Sequence, residues 1–326
     1  MPTIETVPYR GWKRNVRLAN RDVELILTQD VGPRIVRFGF IGAQNVFGEL
    51  PEQMGGAGEK EWMIRGGHRL WMAPEEKPKS YELDNTPIEI RKIPAFAPGA
   101  SPYAQPLRRD KPAGRPGGIR TIQAPGLLTR VQKTMDITLA EHRNEVTVVH
   151  RLTNKGRQAI TLAPWALTVM AKRGMAIIPL PKKMSHAGLL THNQNWSLWG
   201  YTDLSDPRWT IGRRYILFRQ DPRRGPNKIG IAHREGWVAY LRNGLLFIKR
   251  FRRIPGATYP DSDVNFETFS NQQILELESL GPLVTLRPGQ TAAHTETWTL
   301  HRGLKACRTE ADIDKYVAPL AKENAE

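Results

Sequence analysis

DSDVNFETFSNQQILELESLGPLVTLRPGQTAAHTETWTLH, residues Asp261 to His301, is the stretch on which the reading of this chain turns. Side chains alternate across a β-strand, so Ile274, Glu276 and Glu278 fall on one face while Leu275 and Leu277 fall on the other. The apolar side is suited to a core. The acidic side is left to water or to a cleft, and the turn at Pro288-Gly289 leads into an alternating return strand, Ala292 to Leu300. Neighbouring carboxylates on a rigid strand suit general acid–base chemistry on a sugar or sugar-like substrate. A solvated outer face satisfies the same alternation.

Outward from this stretch the texture repeats. Short alternating segments separated by Gly, Pro, Asn and Asp predict strands at Val23 to Thr28, Arg34 to Phe40, Ile88 to Ile93, Thr129 to Leu139, Glu145 to Thr153 and Ala159 to Met170. Further strands are predicted at Arg214 to Arg219, Trp237 to Arg242, Leu245 to Phe251, Gln273 to Leu280 and Ala292 to Leu300. Asn243-Gly244 sits between two apolar runs, and both residues tolerate positive φ, which predicts a two-residue type I′ hairpin. Two stretches break the rhythm: Phe96 to Gly118, rich in Pro, Gly and basic residues, and Met184 to Arg213, rich in Trp, Asn, Ser and Asp. Loops of that length in a compact domain are functional or disordered. Helical pattern is confined to Thr309 to Lys322, which opens with a good cap and is interrupted by Pro319. The expected organisation is one large, mostly antiparallel β domain over residues 1–302 and a short helical tail over 303–326.

Composition narrows the class. The 326 residues, 40% hydrophobic and 25% charged, are ordinary for a soluble globular chain long enough to bury a substantial core. The lone Cys307 excludes an internal disulfide framework. The opening MPTIETVPYRGWKRN lacks the apolar centre of a signal peptide, and no run approaches the length of a membrane span. A cytoplasmic protein is expected, with no membrane partner. The net charge of +16 raises nucleic acid as a partner. However, the basic residues are scattered in short groups (Arg108-Arg109, Arg213-Arg214, Arg223-Arg224, Lys249 to Arg253) without a recognition motif. Specific nucleic-acid binding is therefore not expected; attraction for anionic metabolites is the milder reading, and Lys249 is taken as a candidate ligand contact.

The second chemical segment is Ile64 to Glu75, IRGGHRLWMAPE. Gly66-Gly67 permits positive φ or close backbone approach to a ligand. His68 follows, with Arg65 and Arg69 on either side and Trp71 and Glu75 just beyond. An imidazole beside an aromatic platform and guanidinium groups is equipment for holding a polyol and moving a proton. A glycine turn with a surface His and a core Trp has the same sequence. Trp165, Trp196, Trp199 and Trp209 are candidate stacking platforms, against the ordinary alternative of core tryptophans. No metal-ligand spacing is present, since there is no HxH, no His-x₃-His with a carboxylate, and no CxxC.

Taken in order, VGPRIVRFGFIGAQNVFGE, RGGHRLWMAPE, VTVVHRLTNKGRQAITLAPWALTV and ILELESLGPLVTLRPGQTAAHTETWTL resemble the galactose mutarotase-like superfamily of aldose 1-epimerases and hexose-6-phosphate epimerases. The likeness covers roughly residues 20 to 302. It implies an antiparallel β-supersandwich whose concave face takes carbohydrate or sugar phosphate, without a cofactor. It implies further that Glu278, in Leu277-Glu278-Ser279, is the base that removes the anomeric proton, with Glu276 as the adjacent candidate. His68 matches a sugar-binding histidine, and Arg65-Gly66-Gly67 resembles the Arg-Gly-Gly of the phosphate-sugar branch. The family's general acid, a histidine in the strand after a Thr-Asn turn, has no counterpart: Pro164, Trp165 and Ala166 stand there. His186 or His192 is a possible substitute. The expectation is an aldose 1-epimerase-type protein. The rivals are a non-catalytic sugar-binding or sensor module, and a glycoside hydrolase or lyase using Glu276 and Glu278, whose Cα atoms would lie roughly 7 Å apart.

Overall fold

Alternation along the predicted strands requires two apolar faces to meet, and in the computed structural model, which describes residues 1–94 and 116–322, they meet between two long sheets. Every strand pairing among these residues is antiparallel. The centre of the first sheet runs in the order Arg34–Phe40, His68–Ala73, Ile160–Met170, Leu275–Leu280, Phe266–Ser270, Asn227–Ile231. The second sheet has Met175–Pro179, Trp237–Arg242, Leu245–Phe251, Thr291–His301, Glu145–Asn154 and Val131–Leu139 side by side. Their inner faces share one core, in which Leu275 and Leu277 of the first sheet and Phe247 and Trp298 of the second are fully buried. Phe38, Phe47, Phe247 and Trp298 pack there with ring centroids 5.5–6.3 Å apart. Such pairs add about 0.5–1.5 kcal/mol each beyond area burial.

Strand predictions hold where alternation is long. Val23–Thr28, Arg34–Phe40, Trp237–Arg242 and Leu245–Phe251 form over the expected spans, and Asn243 (φ 49°) with Gly244 (φ 73°) makes the hairpin turn. Strands hidden from pattern reading are short or built around polar residues: His68–Ala73, Met175–Pro179, Asn227–Ile231 and Phe266–Ser270. Met184 to Arg213 is not wholly irregular, because Trp196–Leu198 ends the first sheet and Trp209–Ile211 ends the second. Most of Phe96 to Gly118 lies outside the described residues; its last part opens the strand Pro116–Ile122.

Gly66 and Gly67 do have positive φ, 99° and 70°, but what they approach is the protein itself. A Cβ on Gly66 would stand 2.1 Å from the Gly48 carbonyl oxygen and one on Gly67 2.3 Å from that of Ile35. In the tail, Thr309 caps Glu310–Tyr316 through a reciprocal bond with Asp312, and the helix breaks at Val317 before Ala318–Lys322. The tail is seated on the outer face of the second sheet, with Ile313, Val317 and Ala321 packed against Ile177, Leu217 and Ile248. It leaves the outer face of the first sheet to other groups.

Candidate functional site

Strand register assembles the outer face of the first sheet. Leu167 lies opposite Arg69 on one side and Glu278 on the other, and Glu278 in turn lies opposite Glu267. One step along, Trp165 faces Trp71 and Leu280; on the other side Glu276 faces Val169 and Phe269, and Phe269 faces Lys228. Period-two alternation therefore brings Arg69, Trp71, Trp165, Glu267, Glu276, Glu278 and Lys228 to one surface.

Glu278 is 1% exposed and accepts a bond from Trp165 Nε1 at 3.0 Å. The Lys228 ammonium lies 2.5 Å from Glu267 and 3.6 Å from Glu278, over the rings of Trp165 (4.9 Å) and Trp199 (4.5 Å). Arg69 pairs with Glu276 at 3.0 Å and stacks over Trp71 (4.9 Å) and Trp62 (5.4 Å). Trp62, Trp71, Tyr81 and Trp165 form an aromatic wall, with centroids 4.9–5.5 Å apart in neighbouring pairs. Glu75 stands at the exposed rim, where it accepts from Tyr81 Oη. Gly230, on the strand that carries Lys228, leaves room for Trp199, whose Cη2 would be 3.0 Å from an added Cβ.

Burial is the main force on these groups. It pushes the Glu278 carboxyl up to about 7, with Glu276 and Glu75 adding to the rise and Lys228 and Arg69 opposing it. Burial likewise holds Glu267 well above the carboxylate range, against the pull of Lys228 and with the push of Glu278. Burial opposes the Lys228 charge, but Glu278 and Glu267 outweigh it and hold that ammonium above its usual range.

The face is also short of partners. Among the described residues, six of the fifteen buried side-chain atoms without a hydrogen bond are here: Trp62 Nε1, Arg69 Nε and Nη1, Glu276 Oε1 and both Glu267 oxygens. Glu276 Oε1 and Glu267 Oε2 touch cations, but the contacts lack hydrogen-bond alignment.

His68 does not join this face. As the neighbour of Arg69 in a strand it points the opposite way, into the space between the sheets. There its Nδ1 meets Thr168 Oγ1 at 2.8 Å and its Nε2 meets His150 Nε2 at 2.7 Å. Lys249 comes to the same place from the second sheet, 2.8 Å from Glu296 and donating to the Leu277 carbonyl. Glu296 also accepts from Ser279 and Trp298. His68 is therefore separated from Arg69 and Glu278, with which the sequence reading groups it in one pocket, and Lys249, the candidate ligand contact, is likewise turned away from that face. His68, His150 and Glu296 do bring ligand atoms within 4.8 Å of one another, from three separate strands, where no linear metal spacing exists. Their atoms are engaged with one another and with Thr168, Ser279, Lys249 and Trp298. Burial holds His68 far below its ordinary pKa, and His150 and His294 at about 3, so the network contains neutral imidazoles at neutral pH.

Arg65 is committed to the loops, donating to the Gln53 carbonyl, Glu59 and Asn85. His186 and His192 are exposed, Trp196 packs on the inter-sheet core, and Trp209 stacks on Phe218. Lys228 and Glu267 were missed by sequence reading. Glu267 was recoverable, because FETFS alternates immediately before the Asn271 turn that leads to Glu276 and Glu278. Lys228 carried no signal. A surface concavity of about 650 Å³, lined among others by Arg130, Asn154, Lys155 and Arg157, contains none of the predicted residues.

No family model and no curated protein matches the chain. Solved structures do. A protein from Synechocystis sp. PCC 6803 superposes with a TM-score of 0.53 at 12% identity, over 93% of this chain and 100% of that one. A candidate mutarotase of Salmonella typhimurium, YeaD, gives 0.53 at 9% identity, over 89% and 90%. A galactose mutarotase related enzyme from Lactobacillus acidophilus gives 0.52 at 8% identity, over 88% and 97%. Likeness at such identities is a statement about architecture: the chain has the galactose mutarotase-like fold expected from its motifs.

Proposed function

We propose that this chain is a carbohydrate-binding protein of the aldose 1-epimerase type, with its sugar site on the outer face of the first sheet and Glu278 as the base. The observation that carries the reading is the concentration of buried polar atoms without an aligned hydrogen bond on Arg69, Trp62, Glu267 and Glu276, the two carboxylates held by ion pairs alone, beside an aromatic wall. Buried polar groups call for partners. A sugar offers hydroxyls to both donors and acceptors, and an apolar ring face for tryptophan. A carboxyl held near 7 is also suited to exchange a proton at neutral pH. In this reading Glu278 takes the anomeric hydroxyl proton while Arg69 orients neighbouring hydroxyls. His68 and Lys249 support the sheet from behind. The free Cys307 is at home in a reducing cytoplasm.

Charge favours a neutral sugar over a phosphorylated one. Around the Glu267–Glu278 pair stand the carboxylates of Glu75 and Glu276, against Arg69 and Lys228 as cations, so that even with one proton shared by the pair no cation is left over for a phosphate. Arg65, the candidate phosphate contact, is occupied by Glu59 and Gln53. Titration of the protein with neutral hexoses and hexose 6-phosphates, followed by NMR, tests the reading. Neutral sugars should bind, and Trp165→Ala or Arg69→Ala should weaken them at least tenfold. The reading falls if no sugar binds, or if both variants bind as wild type does.

A non-catalytic module is the second reading. It is favoured by Pro164, Trp165 and Ala166 standing where the resemblance places an acid histidine.

A further inference from the structure

Two carboxylates and one ammonium form a closed triad on the site face, and the mechanism above uses only one of them. Glu267 and Glu278 are directly opposed residues on adjacent strands, and Lys228 Nζ reaches both, at 2.5 and 3.6 Å. All three side chains are 95% or more buried. Glu267 is otherwise unclaimed: neither oxygen has an aligned donor in the protein. With both carboxylates ionised the triad carries an uncompensated negative charge out of water, which is costly. One additional proton makes it neutral, and like charges this close hold such a proton between them.

We propose that Glu267 is the second catalytic carboxylate of this site, sharing one proton with Glu278 across Lys228 and replacing the absent histidine as general acid. This rests on the sugar-site reading above. The shared proton sits on Glu267 in the reactive form. Glu267 gives it to the ring oxygen as the C1–O bond of the ring breaks. Glu278 takes the proton of the anomeric hydroxyl, and C1 becomes the carbonyl of the open-chain aldehyde. After rotation about C1–C2 the carbonyl is attacked from its other face by the ring hydroxyl. That hydroxyl returns its proton to Glu267, and Glu278 returns its own to the new anomeric oxygen. No atom or electron is gained or lost overall. Both carboxyls lie in the range where burial favours the protonated form, which such sharing requires. Lys228 keeps its proton and holds the pair in register.

The test uses the full chain with D-glucose, D-galactose and D-mannose labelled at C1, reading anomer exchange by NMR saturation transfer and affinity by titration. Wild type should accelerate exchange of at least one sugar, with a bell-shaped pH profile. Glu267→Gln and Glu278→Gln should each lower kcat by about 10²–10⁴-fold, with affinity held within about threefold. Each should also lose one limb of the profile, and Glu267→Asp should recover part of the rate. Should the glutamine variants fail to fold, ¹³C NMR of glutamate carboxyls in wild type decides, because one proton per triad must be visible at neutral pH. Wild-type kcat in Glu267→Gln, two fully ionised carboxylates at neutral pH, or sugar binding without exchange each overturns the proposal and leaves the binding reading in place. Absence of any sugar binding overturns both.

Discussion

Arg69 and Glu278 flank Leu167 from opposite sides, each its register partner in an adjacent strand. Two strand spacings separate their backbones by roughly 10 Å, and both side chains rise from the same surface. Leu167 lies between them, Trp165 and Trp71 stand two residues further along the same face, and the Arg69 guanidinium reaches over the intervening strand to Glu276. A hydrogen-bond donor and a proton acceptor are thus presented beside an aromatic wall, an arrangement suited to a ring with hydroxyls on its edge and C–H groups on its faces.

The Arg69 fork is the first place to test this geometry. Arg69→Lys keeps the charge but loses the planar group that stacks on Trp71 and Trp62 while meeting Glu276. We expect sugar affinity to fall about tenfold or more in Arg69→Lys, with little recovery relative to Arg69→Met. Calorimetric titration of both variants reads this directly, and a lysine variant that binds like wild type would remove Arg69 from the site.

Lys249 should matter for folding and not for the ligand. Removing it in Lys249→Met leaves Glu296 buried without its cation, and breaking such a pair costs about 3–5 kcal/mol. The chemical denaturation midpoint should drop accordingly, while the folded fraction binds sugar with unchanged affinity. Loss of affinity with unchanged stability would reverse the assignment.

Stability should carry the signature of the Glu278 carboxyl. Burial pushes it up to about 7, against an unfolded value of about 4.3. Between these values the folded state binds more protons, so rising pH lowers stability until the folded group has ionised. Buried His150, His233 and His294, held at about 3, act in the opposite direction. There the unfolded state binds more protons up to about pH 6.5, and stability rises with pH. Glu278→Gln removes the first effect, relieves the push of Glu278 on the Glu267 carboxyl in the same sense, and leaves that of the histidines. Its stability relative to wild type should therefore climb from about pH 4.5 to 7 and level off above. Denaturant titrations of both proteins across this range supply the difference, and a flat line would mean that Glu278 ionises normally.

Ser262 offers a backbone test beside the site. Asp261, Ser262 and Asp263 have φ of 51°, 64° and 75°, and the turn they make is tied down by Ser197, Asn195 and Arg253. Left-handed backbone costs an L-residue roughly 1–2 kcal/mol, and more when the side chain is β-branched. Ser262→Val should lower the melting temperature by about 1–3 °C, whereas Ser262→Gly should hold or raise it. Equal melting temperatures for the two variants would show that the turn does not keep this conformation in solution.

What the chain determined by itself was periodicity. Alternation at Leu275–Leu280, the Asn243-Gly244 turn and the apolar strands of the second sheet predicted one antiparallel β domain, and the resemblance carried by the motif order implied the stacked sheets of the galactose mutarotase-like fold that the structure has. The same alternation put Glu276 and Glu278 on one face and, applied to His68 and Arg69, would have separated those two had the segment been read as a strand. Its glycines and basic residues concealed that strand, because their positive φ and close backbone contacts appear only against Gly48 and Ile35. Tertiary structure alone decided which outer face stays free of the helical tail, and brought Lys228 to Glu278 with the Trp199 ring against its ammonium. Lys228 and Glu278 come from strands whose order in the sheet is not their order in the chain. Local spacing encodes which side a residue takes; only the pairing of distant strands, selected by burial of the common core, decides what it meets there.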